Sequence, residues 1–347
     1  MEKPDGKGQA QLTLLGVAIA VVVFLTWSAG LIGNGIWQLF KQSNVQYSQN
    51  GQNIPDSFSG VSNVPTGVFA YGGSTAWAPL RLAVDSVIQS ERPELQFRYI
   101  QSEKEPPGSG PGIQMLLRGE LAFVQSSYSL LPEEYSRARE KGMRLEQVPV
   151  AVDGIAIAVH PSLNIPGLTL RQLQRIYTGK IVNWQELGGP DLEITTYSPP
   201  LSTGGMVNFF ASGVLRGKEF GSGVEFISTT TKALRKLANN PGGIYYDSAP
   251  AILPQCTVKP LPLGRQEGEF VAPYQQPLVP ASECPNQRNK LNTKAFRSAQ
   301  YPLTNYLYVV FLQNEAVEEQ IAQAYANFLL TPQGQKLITK TGFAPLN

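Results

Sequence analysis

Three segments of this chain share one design: Tyr71-Gly-Gly-Ser-Thr-Ala-Trp-Ala-Pro-Leu80, Pro107-Gly-Ser-Gly-Pro-Gly-Ile-Gln114 and Leu201-Ser-Thr-Gly-Gly-Met206. In each, Gly and Ser/Thr residues come just before a stretch with helical character. A helix start exposes unpaired N–H groups and the positive end of the helix dipole. Gly lets a ligand come close to the backbone, and Ser/Thr adds a hydroxyl. Taken singly, each segment is an ordinary cap or turn. Three of them in one chain point to several helix ends meeting at a small anion.

The bulk numbers leave room for this. A chain of 347 residues with 42% hydrophobic content can build two lobes with real cores. Charged residues make up 16%, the formal net charge is +2, and no basic block stands out, so a nucleic-acid partner is not expected.

The N-terminus reads as a separate element. No charged residue occurs from Gly8 to Phe40, and Leu12 to Gly33 is a strongly apolar run. Its 22 residues are long enough to span a bilayer as one transmembrane helix. A cleaved signal is the alternative, with Ser28-Ala29-Gly30 as a poor cleavage site. Lys3 and Lys7 precede the run and Lys41 follows it, which places residues 1–40 as a cytoplasmic tip plus anchor and the rest outside. From Lys41 to Asn63, 15 of 23 residues are Gln, Asn, Ser or Gly, the composition of a flexible linker. Cys256 and Cys284 are the only cysteines. In an oxidising compartment they would form one disulfide around a Pro-rich excursion; two buried free thiols are the other possibility.

From Val64 onward strands and helices alternate, an α/β pattern. Strands are expected at 67–71, 95–100 and 121–125, with a continuous apolar strand at 154–159 that is covered on both faces. Helices are expected at 78–89 and 113–118. Thr169 should cap a helix carrying Leu170, Leu173, Ile176 and Tyr177, stopped at Gly179. Val317 to Leu329 shows one apolar face, and Thr331-Pro332 restarts a helix that stops at Gly342. Pro250 to Asn292 is irregular. His160 reads as a surface or cap residue, Trp77 and Trp184 as core anchors, and Asp153 as a backbone-bonding turn residue. No Ser-His-Asp order, metal-ligand cluster, Walker A or dinucleotide fingerprint appears, so neither an enzyme nor a cofactor or metal is expected.

From about Val64 to the C-terminus the chain resembles the periplasmic phosphate-binding proteins of Pst-type ABC transporters, a branch of the type II solute-binding proteins. The landmarks are Gly72-Gly73-Ser74-Thr75 with Ala78-Pro79, Gly108-Ser109-Gly110 with Gly112-Ile113, and Val150 to Val159. They continue with Leu170-Arg-Gln-Leu173, Ile176 to Lys180, Asn183-Trp184, Asn240 to Tyr245 and Phe328 to Gln335, in the family's order. The resemblance implies two α/β lobes joined by two hinge strands and closing on a ligand. Lobe I would be 64–150 plus 262–347, and lobe II 151–261. It implies anion contacts from Ser74, Thr75 and Ala76 in the first loop, and from Ser109 and Gly110 in the second. Ser202, Thr203 and Gly204 would serve in the facing lobe.

Two departures stand out. Where the family has an Asp that accepts the proton of a protonated phosphate, the aligned residue is Ser127. Where it has an Arg ahead of the lobe II loop, this chain has Thr196-Tyr-Ser-Pro-Pro200. A further family Arg falls in Leu303-Thr-Asn-Tyr-Leu307, again without one. A hydrogen bond from Arg is worth about 1.5–3 kcal/mol, so losing one weakens binding about 10- to 150-fold. A Ser both donates and accepts, so it rejects sulfate less strongly than an Asp does. Arg81, Arg98, Arg118 and Arg216 remain as cations whose reach spacing leaves open. The function expected is extracytoplasmic (periplasmic) binding of phosphate or a related oxyanion by a membrane-anchored monomer that serves an ABC permease. The alternative is a tethered sensor or interaction module with weakened ligand binding.

Overall fold

The computed structural model describes residues 54–201 and 205–346. The predicted membrane segment Leu12–Gly33 lies outside them, as do Ser202, Thr203 and Gly204. Among the described residues no helix is long and apolar enough to cross a membrane.

The chain runs β1 (Gly67–Gly73), α1 (Ala78–Glu91), β2 (Leu95–Tyr99), α2 (Ser109–Leu116), β3 (Phe123–Ser126), α3 (Pro132–Glu140) and β4 (Leu145–Val159). It continues through β5 (Leu168–Thr169), α4 (Leu170–Tyr177), β6 (Thr195–Ser198), α5 (Gly205–Phe210), β7 (Glu225–Phe226), α6 (Thr230–Ala238) and β8 (Gly243–Ser248). Then come α7 (Ala249–Ile252), β9 (Lys259–Leu261), β10 (Leu263–Gly264), β11 (Phe270–Val271) and α8 (Thr293–Arg297). The chain ends with β12 (Thr304–Leu312), α9 (Val317–Leu330) and α10 (Pro332–Lys340).

The main sheet has the order β2-β1-β3-β12-β4-β8-β6-β7, with β9 also on β4. β1 pairs in parallel with β2 and β3, and β12 is antiparallel to both β3 and β4. β4 holds the sheet together. Leu145 to Gly154 pairs with β12, and Ile155 to Val159 pairs with β8 and β9. The apolar strand expected at 154–159 is thus the far half of a 15-residue strand shared by both lobes. Its far half is buried on both faces because lobe II packs on each side.

Local signals explain the elements that flank the site. In α1, Leu80, Val84 and Ile88 fall four apart and are fully buried, each contributing about 1.5–3 kcal/mol of burial. Pro79 sits in its first turn, where a missing N–H costs nothing. Thr169 caps α4 through the Gln172 amide, and Gln172 reaches back to the Thr169 amide. Thr331 caps α10 through the Gly334 amide at 3.0 Å. α2 starts at Ser109, four residues before its expected start, because Gly112 fits where any Cβ would strike Gly73.

Two boundaries move. The packed chain begins before Val64: Phe58 is fully buried and meets Phe328 edge-on at 5.5 Å, and Val61 is also buried. The polar composition around these two side chains concealed them. Residues 262–303 belong with lobe II, because Ala272, Tyr274, Leu291, Phe296, Tyr301 and Leu303 share its core. The chain re-enters lobe I at β12. The two cysteines form one disulfide, Cys256–Cys284, with Cα atoms 5.6 Å apart.

Candidate functional site

The first two Gly/Ser segments meet at one point. Ser74 caps a single 3-10 turn, Thr75–Trp77, that runs into α1; its hydroxyl accepts from the Ala76 amide at 3.2 Å. Ser74 is fixed to the end of β3 by its own N–H on the Gln125 carbonyl, 2.8 Å. Ser109 opens α2 and is fully buried. Ser127 follows β3. The Ser74 hydroxyl donates to Ser127 Oγ at 3.0 Å, and Ser109 Oγ lies 3.3 Å from the same oxygen. The Ser127 amide donates to Ser109 Oγ at 3.1 Å. Trp77 and Asn305 lock the base: the indole N–H donates to the Ser126 carbonyl (3.0 Å) and the Asn305 amide to the Ser127 carbonyl (2.6 Å).

Gly205 brings the facing lobe to this cluster. Its φ is +27°, and a Cβ there would lie 2.7 Å from Ser127 Oγ and 3.9 Å from both Ser109 Oγ and Ser74 Oγ. Ser202, Thr203 and Gly204 stand immediately before it in sequence. Thr75 and Ala76 line a cleft of about 330 Å³ opposite Gly205, Ser228, Thr229, Thr230, Tyr245 and Asp247. Gly110 is half-buried beside Ser109, with the Tyr128 hydroxyl 3.5 Å from where its Cβ would stand.

The lobe II wall contains residues that sequence reasoning missed. Asp247 accepts from Thr230 Oγ1 (2.7 Å), Tyr245 OH (2.8 Å) and the Ser248 amide (2.8 Å). Burial still pushes its carboxyl above the usual range, against those three hydrogen bonds. The signal was present: Ser228-Thr-Thr-Thr231 is a fourth hydroxyl-rich helix start, and Thr229 caps α6.

No Lys or Arg is among the described residues lining the cleft. Arg81 is engaged elsewhere, donating to Gln125 Oε1 at 3.1 Å and lying 3.6 Å above the Tyr99 ring. Arg118 pairs with Glu120. Ser198, in the stretch without the family's Arg, is fully buried with its hydroxyl 2.7 Å from Tyr246 OH. The polar groups gathered here are hydroxyls, backbone amides and the Asp247 carboxyl.

Asp153 is not a turn residue. It sits in the middle of β4, 3% exposed, and neither carboxylate oxygen has a hydrogen-bond partner. Burial raises its pKa to about 7; the nearby Gly154 amide lowers it somewhat without reaching hydrogen-bond geometry, and Asp247 raises it further. Trp77 and Trp184 are fully buried, as core anchors should be, and His160 is a half-exposed residue bonded to Ser162 Oγ at 2.7 Å.

The family model of the PBP superfamily domain matches residues 60–333. The chain belongs to the PBP superfamily. Within that superfamily it is similar to the phosphate-binding protein PstS of Bacillus subtilis, 33% identical over 52% of this chain and 57% of that one. The matched part thus spans little more than half of that relative. Two solved structures share the fold over most of the chain. One is a Clostridium perfringens protein with bound phosphate (TM-score 0.63, 22% identity, 81% of this chain and 100% of that one). The other is an ABC-type phosphate transport receptor from Vibrio cholerae (TM-score 0.61, 19% identity, 80% and 99%). The expected likeness to Pst-type phosphate-binding proteins therefore holds in both sequence and fold.

Proposed function

We propose that this protein binds phosphate outside the cytoplasm, between its two lobes, and presents it to an ABC permease. The observation that carries this is the meeting of Ser74, Ser109 and Ser127 with Gly205 across the cleft. Hydroxyl protons rotate freely, so each can leave its present partner and donate to an anion oxygen. Amides of the helix starts at Thr75–Ala76 and Ser109–Gly110 add donors, and Ser202, Thr203 and Gly204 supply the facing lobe's share. Lobe closure then replaces the water shell of the anion, and the closed form is what the permease recognises. The relatives named above, which bind or transport phosphate, support phosphate over other oxyanions.

Without Arg in the cleft, binding is weaker than a charged site would give. Calorimetry on the full-length chain should yield a phosphate Kd above about 1 μM. Sulfate should bind measurably as well, because Ser127 tolerates an anion with no proton. Ser74→Ala and Ser109→Ala should each weaken phosphate binding about 3- to 10-fold, the worth of one neutral hydrogen bond. A wild-type chain giving neither heat nor a thermal shift with phosphate would overturn the assignment. The apolar run Leu12–Gly33 is proposed to tether the protein, as a monomer, to the membrane. Recovery of the protein in the soluble fraction with a mature N-terminus near Leu31 would refute the tether.

A further inference from the structure

We propose a second anion site, behind the strands that join the lobes: a cavity of about 450 Å³ that takes a phosphate monoester with an apolar body and, when filled, favours the arrangement in which the lobes meet. Val152 on β4 and Tyr306 on β12 lie opposite each other and so share one face of the sheet. Asn305, the next residue along β12, faces the other way and holds the Ser127 carbonyl. The cavity on Val152 and Tyr306 therefore lies on the far side of these strands from the serine cluster. It shares no lining residue with the cleft.

Its charge is the reverse of the cleft's. Lys294 and Arg297 stand three residues apart on α8 and both line it, and no Asp or Glu does. Neither cation has an ion pair or a side-chain hydrogen bond among the described residues. Two cations suit a dianionic head, and the planar fork of an Arg binds two of its oxygens at once. Ser298 adds a hydroxyl that can donate. The remaining walls are apolar or aromatic: Val152 is buried, Leu346 is half-buried, and Tyr306 leaves 44% of its surface exposed. Small organic ligands occupy sites of about 300–1,000 Å³. A bare phosphate ion leaves most of this cavity empty, whereas an ester with an aromatic group fills it.

The walls come from both lobes. Phe296 roots α8 in the core of lobe II. The Leu346 amide donates to Gln335 of α10 at 2.7 Å, and Ile338 roots α10 in the core of lobe I. Any bend between the lobes therefore changes the shape of the cavity. In the present arrangement Gly205 of lobe II abuts Ser127 of lobe I. A ligand that fills the cavity as it stands favours this arrangement, and linkage then makes it tighten the cleft for its own anion. That coupling rests on the phosphate-binding assignment above.

Calorimetry of phenyl phosphate on the full-length chain at about pH 8, where the ester is a dianion, is the test. Wild type should bind it with a Kd of about 10 μM to 1 mM. A double variant, Lys294→Gln with Arg297→Gln, should bind it at least about tenfold more weakly. Inorganic phosphate should bind that variant as it binds wild type, since neither residue lines the cleft. Methyl phosphate, which has no ring, should bind wild type more weakly than phenyl phosphate. With phenyl phosphate saturating, wild type should bind inorganic phosphate about fivefold or more tightly, and the double variant should show no such gain. The proposal is overturned if wild type does not bind phenyl phosphate, if the double variant binds it equally well, or if methyl phosphate binds as tightly. Inorganic phosphate bound no more tightly beside the ester would overturn the coupling, and a loss of its affinity would place the ester in the cleft instead. Failure of wild type to bind inorganic phosphate would remove the cleft assignment and the coupling with it, while the phenyl phosphate titrations would still decide the second site.

Discussion

Under the hydroxyl cluster, Asp85 accepts hydrogen bonds from Tyr71 and, at 2.8 Å, from Tyr325; Tyr325 in turn accepts from Gln125 at 2.8 Å. On β4, Asp153 is buried more deeply than the half-buried Asp85, and neither of its oxygens has a hydrogen-bond partner. Burial raises both carboxyls above their ordinary range, but hydrogen bonds and the nearby Arg81 pull Asp85 back, whereas Asp153 has only the weak pull of the Gly154 amide. The difference separates two kinds of buried acid. Asp85 ties α1 to α9 and β1 inside lobe I, and its oxygens are spent there. Asp153 carries the cost of burial with no hydrogen-bond partner on either oxygen.

The largest expected effect is on stability against pH. Folded Asp153 holds its proton to about pH 7, against an ordinary value of 3.8. Its contribution is therefore fully present below about pH 4 and is lost as pH rises through about 7, a change of about 4 kcal/mol. Urea unfolding of wild type and Asp153→Asn at both ends of that window should show the wild type losing ground by about this amount. A constant difference between the two would mean that Asp153 does not carry the proton.

Asp85→Ala should destabilise by about 3 kcal/mol in the same assay, because two buried tyrosine hydroxyls lose their acceptor. If Asp85→Ala were neutral, the contrast between the two acids would collapse.

Gly205→Ala should reduce phosphate affinity about tenfold or more, through its left-handed φ and the clash with Ser127 Oγ. Unchanged affinity in a titration would move the lobe II loop away from the hydroxyls. Ser127→Ala is the smallest change, about fivefold weaker for phosphate, the worth of one neutral hydrogen bond. Loss of binding altogether would instead make Ser127 indispensable.

Much of the fold was legible because local chemistry and final structure agree. Thr169 and Thr331 cap helices where their spacing says they should; α4 buries Leu173, Ile176 and Tyr177 and α9 buries Ile321, Ala324, Tyr325, Phe328 and Leu329 as their periodicity predicts, while Leu170 is half-buried and Val317, in the first turn of α9, is exposed. Ser74 and Ser109 stand at helix starts of recognisable composition, whereas Ser127 came only from the resemblance to the family, as the residue aligned with its Asp. Phe58 was hidden by its polar neighbours, since one buried ring has no period to reveal it. The lobe boundary at Leu303 was likewise hidden, because residues 262–303 are irregular and pack by contact alone.

By itself, the sequence determined an alternating α/β chain, its helix caps, its cysteine pair and a set of hydroxyl-rich loops without a cation among them. These follow from neighbours a few residues apart. Only the tertiary structure decided that Ser127 is shared by two loops, that Gly205 faces it, and that Ser198 is buried against Tyr246. It also decided that Asp153 lies buried in β4 with no hydrogen-bond partner on either carboxylate oxygen. The physical reason is that burial and hydrogen-bond satisfaction depend on partners far apart in the chain: Asp153 and Asn305 meet only because β4 and β12 pair across the hinge.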